Sequence, residues 1–242
     1  MIHVGISEGF HDSAITILNG QNIMSARHGE RYTKIKNDPI LDLNLIPFKY
    51  DTINFYEKPF LKNTRRLFAG QKWQSSRRKY DNYFGHHETH AAAGYYTSPF
   101  NECNVIVIDA IGEWNTVTIW ECKDNKMKKI KSWNYPYSLG LLYSAITQRI
   151  GLKPNEDEYI TMGMAAFGEP RYDLEYLLYE NNHRGVGRLL PTAHPRDLAA
   201  SVKNLYEKNF LNLFKYYKYT NIVFSGGCVL ICFEKIKIPD RF

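Results

Sequence analysis

Residues 104–121 read NVIVIDAIGEWNTVTIWE. Positions 104–109 form a near-continuous apolar run, the pattern of a strand in a sheet covered on both faces. Gly112 marks a turn, and 117–121 is a second strand. The N-terminus is built the same way. A strand over 2–6 ends in a Gly/Ser turn, a second strand covers 13–18, Asn19-Gly20 predicts a hairpin, and 21–26 completes it. Two blocks therefore open with a hairpin, and each has a turn rich in Gly, Asp and Ser. That order predicts an α/β chain of duplicated, actin-like (ribonuclease H-like) two-lobed architecture with a ligand in the cleft between the halves. The blocks share too little sequence to be read as a repeat. The predicted division is 1–100 and 101–242, with the second lobe incomplete.

Helices are expected between and after these blocks. Ala91, Ala92 and Ala93 make the segment after Gly85 a good helix former. Over 137–150, Leu139, Leu142, Ile146 and Ile150 recur at spacings of three and four, and Gly151 closes the helix. A second long helix is predicted over 198–217 and a buried strand over 222–224. Residues 37–80 show weak periodicity apart from an apolar patch at 52–56, and 65–83 reads as an exposed loop or helix edge.

The chain has 242 residues, 44% hydrophobic and 23% charged, with a net charge of +6. This composition excludes a disordered chain, a collagen-like fibre and a coiled coil. The longest apolar stretch, 222–233, is broken by Ser225, Gly226 and Gly227 and falls short of the roughly 20 residues of a membrane span. The opening shows no secretory signal. The four cysteines fit neither a disulfide framework nor a CxxC metal site, so reduced thiols in a cytoplasmic protein are expected. The positive charge favours anionic partners in general; nucleic acid is not the expected one.

Candidate chemistry follows from spacing. His86 and His90 stand four residues apart, so on a helix both imidazoles face one side and can share a metal ion. The alternative is a pair of solvent-facing histidines at a helix start. Asp109 ends a buried strand, where a carboxylate projects into a cleft and can complete a metal shell, or else caps a turn. The turns Gly5-Ile6-Ser7, Ala110-Ile111-Gly112 and Ser225-Gly226-Gly227 can lend backbone N–H groups to phosphate. His11, beside Asp12 in the first turn, can act as a general base for a hydroxyl or can be a loop histidine bonded to its neighbours.

The motifs GISEGFHDSA (5–14), ERYTKIKND (30–38), FYEKPFLK (55–62), HHETHAAAGYYTSPF (86–100), VIVIDAIGEWNT (105–116), MGMAAFGEP (162–170) and FSGGCVL (224–230) resemble the O-carbamoyltransferases of the NodU/CmcH type. That resemblance implies an actin-like N-terminal part in which a carbamoyl group passes from carbamoyl-adenylate, made from carbamoyl phosphate and ATP in a separate domain, to a hydroxyl acceptor. The acceptor would be a sugar, nucleoside or macrolide, and the basic patches lean toward an anionic one such as a nucleotide. It also implies a divalent metal, iron, on His86, His90 and Asp109, His11 and Lys36 as catalytic residues, and Ser7, Asp12, Gly112, Gly226 and Gly227 around the nucleotide. Ala110, Asp157 and Ile160 depart from the family's Gly, Gly and Lys. The tail from Ile231 resembles nothing in the family, which implies a truncated or split chain needing a second polypeptide. The remaining alternatives are an inactive fragment that binds nucleotide or metal, and a relative of the tRNA threonylcarbamoyl transferases.

Overall fold

Along the first strand Val4 and Ile6 are buried while their neighbours are half-buried, and Ile15, Ile17, Ile53 and Phe55 repeat the alternation on two further strands. A period of two with one face inward makes a sheet packed on one side. The computed structural model describes residues 1–47 and 49–229, in two compact units, the first Met1–Thr89 and the second starting at His90. The predicted tail from Ile231 lies outside the described residues.

In the first unit, β1 (Ile2–Ser7), β2 (Ala14–Asn19) and β3 (Asn22–His28) form an antiparallel meander; β4 (Thr52–Phe55) joins parallel to β1 and β5 (Asn82–Tyr83) parallel to β4. The sheet order is β3-β2-β1-β4-β5. The predicted hairpin is present, and its two loop residues are Gly20 and Gln21, with Gly20 at φ +60. A glycine with positive φ at the first loop position suits the twist of the flanking strands. Helix α1 (Glu30–Thr33) is short. Helix α2 (Pro59–Phe68) starts with proline at its first turn, where the missing N–H costs nothing.

The second unit repeats the pattern. Strands β6 (Glu102–Ile108), β7 (Asn115–Lys123) and β8 (Lys126–Asn134) are antiparallel, and β9 (Ile222–Ser225) pairs parallel with β6, giving the order β8-β7-β6-β9. The same order and directions in both sheets are what a duplicated actin-like α/β architecture requires. Strand β8 follows a tight turn at Asp124 and Asn125, both at positive φ. The helices are α3 (His86–Thr97), α4 (Leu139–Arg149), α5 (Glu158–Ala165) and α6 (Pro195–Leu211); α6 gives way to a 3-10 turn where the sequence predicted a continuous helix to 217. Ser138 caps α4 by accepting from the Leu141 N–H, and Gly151 at φ +89 ends it as expected.

Both faces of the second sheet are covered. Ile106, Ile108, Val117 and Ile119 pack on Leu142, Tyr143 and Ile146 of α4 and on Leu198, Val202 and Tyr206 of α6. The opposite face sets Cys103, Val105, Val107, Trp120 and Cys122 against Ala91 and Tyr95 of α3. Helix α3 comes close because Gly94 lacks a side chain; a Cβ there would lie 3.0 Å from Val223 and 3.6 Å from Val105. Cys103 and Cys122 face each other across the ladder, and burial pushes the Cys122 thiol up to about 12 and raises Cys103 as well, so both stay protonated at neutral pH. Among the described residues no helix is long and apolar enough to cross a membrane.

Candidate functional site

Side chains of a strand alternate between faces, so Asp109, just beyond β6, shares the parity of Val105 and Val107, which pack under α3. Asp109 is thereby delivered to the helix that bears the two histidines. His90 Nε2 lies 3.4 Å from Asp109 Oδ2, with His90 about one third exposed and Asp109 less so. The N–H of Ala110 donates to Asp109 Oδ1 at 2.8 Å. One carboxylate oxygen is thus fixed by backbone while the other is turned to the imidazole. His86 sits one turn before His90 on the same continuous helix, which by itself sets the spacing of the two rings. One atom each of His86, His90 and Asp109 falls within 4.8 Å of the others. Two imidazole nitrogens and one carboxylate oxygen are a donor set for a borderline divalent metal, and ligands that are only partly buried leave positions open. The residues present therefore fit a bound Fe, Zn or Mn ion.

Around Asp109 the second unit is tightly built. Gly226 follows β9 at φ +99, and a side chain there would collide with the Ile108 carbonyl. The Cys228 N–H donates to that same carbonyl at 3.1 Å, and a Cβ on Gly227 would touch Asp109 Oδ1 at 3.4 Å. The Ser138 hydroxyl donates to Ala110 O at 2.6 Å, and a Cβ on Gly140 would come within 2.7 Å of Ala110 Cα. The start of α4, the turn after β6 and the turn after β9 form one block. The N–H of Gly112 is taken inside its turn by Asn115 O at 2.8 Å. Ala110, standing where the resembling family has glycine, packs its methyl against the core of this unit.

In the first unit, Asp12 sits at φ +51 in the turn between β1 and β2. Its Oδ2 is 2.7 Å from His11 Nδ1, and its Oδ1 is 3.6 Å from His28 Nε2. His28 arrives there through the strand register, which pairs it with Ala14. A carboxylate on Nδ1 fixes the tautomer that leaves His11 Nε2 as the basic nitrogen. Asp12, His28 and Glu30 also form a second group of ligand-type side chains, each offering one atom within 4.8 Å of the others. Ser7 ends β1 opposite Ala14. The segment bearing Lys36 docks on this turn: Gly9 N–H donates to Pro39 O at 2.9 Å, and Ser13 N–H donates to Asp38 O at 2.8 Å. Lys36 itself is exposed.

The sequence reading missed a buried network here. Glu8 continues the inward parity of Val4 and Ile6 and is 2% exposed. Arg78 grips it with two N–H···O bonds of 2.7 and 2.9 Å, and the Tyr80 hydroxyl donates to the same carboxylate. Burial, reinforced by the bond to Glu8, pushes the Tyr80 hydroxyl well above the usual tyrosine range. A charged residue at an inward strand position was the available signal. Its partners stand 70 and 72 positions away, beyond any local pattern.

Comparison with known proteins follows the same direction. The family model described as carbamoyltransferase N-terminus matches residues 49–186. The uncharacterized protein sll1178 of Synechocystis sp. is 32% identical over 71% of this chain and 36% of its own length. The uncharacterized protein MJ1051 of Methanocaldococcus jannaschii is 26% identical over 99% of this chain and 53% of its own. The chain thus spans about a third to a half of the length of these relatives. Among solved structures, the ethanolamine utilization protein EutJ from Carboxydothermus hydrogenoformans aligns at TM-score 0.41 and 11% identity over 94% of this chain and 76% of its own. A ROK family glucokinase from Streptomyces griseus aligns at 0.39 and 12% over 94% and 83%.

Proposed function

Because the chain belongs to the family of carbamoyltransferase N-termini, we propose that it carries the transfer half of an O-carbamoyltransferase, passing a carbamoyl group from carbamoyl-adenylate to the hydroxyl of a small acceptor. The observation that supports this most is the convergence of His86, His90 and Asp109 on one point. A divalent ion held there, iron by the resemblance, would supply Lewis-acid charge to phosphate oxygens of the departing AMP.

The chain's own residues do the rest. Asp12 holds the His11 imidazole with Nε2 unprotonated, and that nitrogen takes the proton of the acceptor hydroxyl. The hydroxyl oxygen bonds to the carbamoyl carbon, and the bond from that carbon to AMP breaks, AMP leaving with the electron pair. Lys36 offers positive charge to the phosphate or to the carbamoyl oxygen. Ser7, Asp12, Gly226 and Gly227 are the proposed nucleotide contacts, with Gly112 contributing shape rather than its N–H, which Asn115 takes. The adenylate itself, formed from carbamoyl phosphate and ATP, is supplied by another domain or a second chain. The working place is the cytoplasm.

The test has two readouts. Protein purified without oxygen is assayed for bound iron, alongside His86→Ala and His90→Ala. Wild type should hold about one equivalent and each variant should bind at least about tenfold more weakly; equal metal in all three would falsify the ligand set. With pre-formed carbamoyl-adenylate and an acceptor, His11→Ala should slow transfer by on the order of 10²-fold. Transfer unchanged in that variant removes the base assignment.

A further inference from the structure

The end of β3 is pressed onto the turn after β1 at Gly29. Its N–H donates to Ser13 O at 2.6 Å, and a Cβ on Gly29 would collide with the Ser13 hydroxyl. The neighbours of these two residues are thereby brought together: His28 and Glu30 flank the glycine, and Asp12 precedes the serine. One ligand-type atom of each of the three lies within 4.8 Å of the others. His28 Nε2 and Asp12 Oδ1 stand 3.6 Å apart. That is too long for a hydrogen bond. It is close to the roughly 3.0–3.5 Å between two ligands that each sit about 2.1 Å from one ion.

The outer oxygens of the two carboxylates are already engaged. Asp12 Oδ2 holds His11 Nδ1 at 2.7 Å, which turns Oδ1 to His28. Glu30 Oε2 accepts the Asn37 N–H at 3.2 Å, and Glu30 keeps a second oxygen. Charge points the same way. Among the described residues neither Asp12 nor Glu30 pairs with a lysine or arginine, although Arg31, Lys34 and Lys36 follow closely in sequence. Histidine is the basic group that meets Asp12, and it carries no fixed charge. Two carboxylates this close repel each other, and a shared cation relieves the repulsion. All three side chains are only partly buried, so water can complete the coordination and the ion can exchange with solvent.

We propose that Asp12, His28 and Glu30 hold an exchangeable divalent cation of the Mn²⁺ or Zn²⁺ class, at a site separate from the His86, His90 and Asp109 group. Carboxylate oxygens joined by one imidazole nitrogen suit those ions; Mg²⁺ and Ca²⁺ favour oxygen alone, and thiophilic metals favour sulfur. Asp12 is the bridge, with one carboxylate oxygen on the ion and the other on His11 Nδ1. The ion ties the end of β3 and the first turn of α1 to the turn that carries His11, and so braces that turn. The site belongs to the first unit alone and does not rest on the transfer reaction.

The test counts bound ion on the full chain after stripping with a chelator, with no carbamoyl donor present. Mn²⁺ and, separately, Zn²⁺ are titrated by calorimetry into wild type and into His90→Ala, which disables the other group. His90→Ala should still take up one equivalent of at least one of the two ions saturably, and that ion should raise its thermal midpoint. Adding Glu30→Gln keeps an acceptor for the Asn37 N–H and removes the charge. It should weaken binding by about tenfold or more, with the metal-free midpoint unchanged. Adding His28→Ala should weaken binding by at least as much. Absence of saturable uptake in His90→Ala, or a smaller loss of affinity in either added variant, overturns the proposal. Equal uptake by wild type and His90→Ala, lost on adding Glu30→Gln, supports this site and counts against the other ligand set.

Discussion

The two sheets share one strand order and differ in how they are covered. In the second unit β6 to β8 are long, both faces are packed with aliphatic and aromatic side chains, and the polar group that matters, Asp109, stands at a strand tip. In the first unit the strands are shorter, the apolar cluster is small, and an ion pair is built into the floor through Glu8 and Arg78. The corresponding turns after β1 and β6 each present an aspartate, Asp12 and Asp109. In the first unit it is spent on holding histidines of its own sheet, and in the second it meets a histidine from a helix. The lesson is that one topology offers chemistry at the same place twice, and the surrounding packing decides what kind.

The sharpest way to break the comparison is Arg78→Ala. It strands the Glu8 carboxylate, 2% exposed, and should cost about 3 kcal/mol or more. Hydrogen exchange should show β1 and β4 losing protection while β6 and β7 keep theirs; equal loss in both sheets would mean that the units do not differ in the way described. Next comes Gly226→Ala in the second unit, where a side chain collides with Ile108 O at φ +99. About 2 kcal/mol is expected, read in urea, with the loss of protection now in β6 and β9. Tyr80→Phe is smaller, about 1–2 kcal/mol at neutral pH. The folded-state value of Tyr80 lies above its ordinary value of 10.0, so its neutral hydroxyl stabilises the fold fully below that pH and the contribution is lost as pH rises past it. The gap between wild type and Tyr80→Phe should therefore close in alkaline urea titrations. A gap constant from pH 7 to 11 would contradict the bond to Glu8.

Which parts of this were readable from the chain follows from how local their causes are. The Asn19-Gly20 hairpin, the apolar β6 and the spacing of His86 and His90 are set by neighbours within a few positions, and the structure places them as read. Helix α2 was missed although its period was present. Phe60, Leu61, Leu67 and Phe68 recur at helical spacing after Pro59 at the first turn, but the stripe they form is exposed while Asn63 and Arg65 are buried, so the usual rule that the apolar face lies inward does not hold here. Helix α5 lay in a stretch read only as a family motif. His28 reaches Asp12 only through strand register, and Arg78 reaches Glu8 only through the tertiary fold. Asp109 is the intermediate case: its parity with Val105 and Val107 was present in the sequence, but which face α3 covers was not.

Gly94 has a consequence for the proposed metal site although it touches none of His86, His90 and Asp109. Its missing side chain lets α3 sink onto β6 and β9, with only 3.0 Å between the place of an absent Cβ and Val223. The height of the helix above the sheet, and with it the 3.4 Å gap from His90 to Asp109, is thus set by the absence of a single methyl group. A substitution there lifts the helix like a shim under a beam, moving His90 away from Asp109 while leaving all three side chains of the proposed site untouched in the sequence.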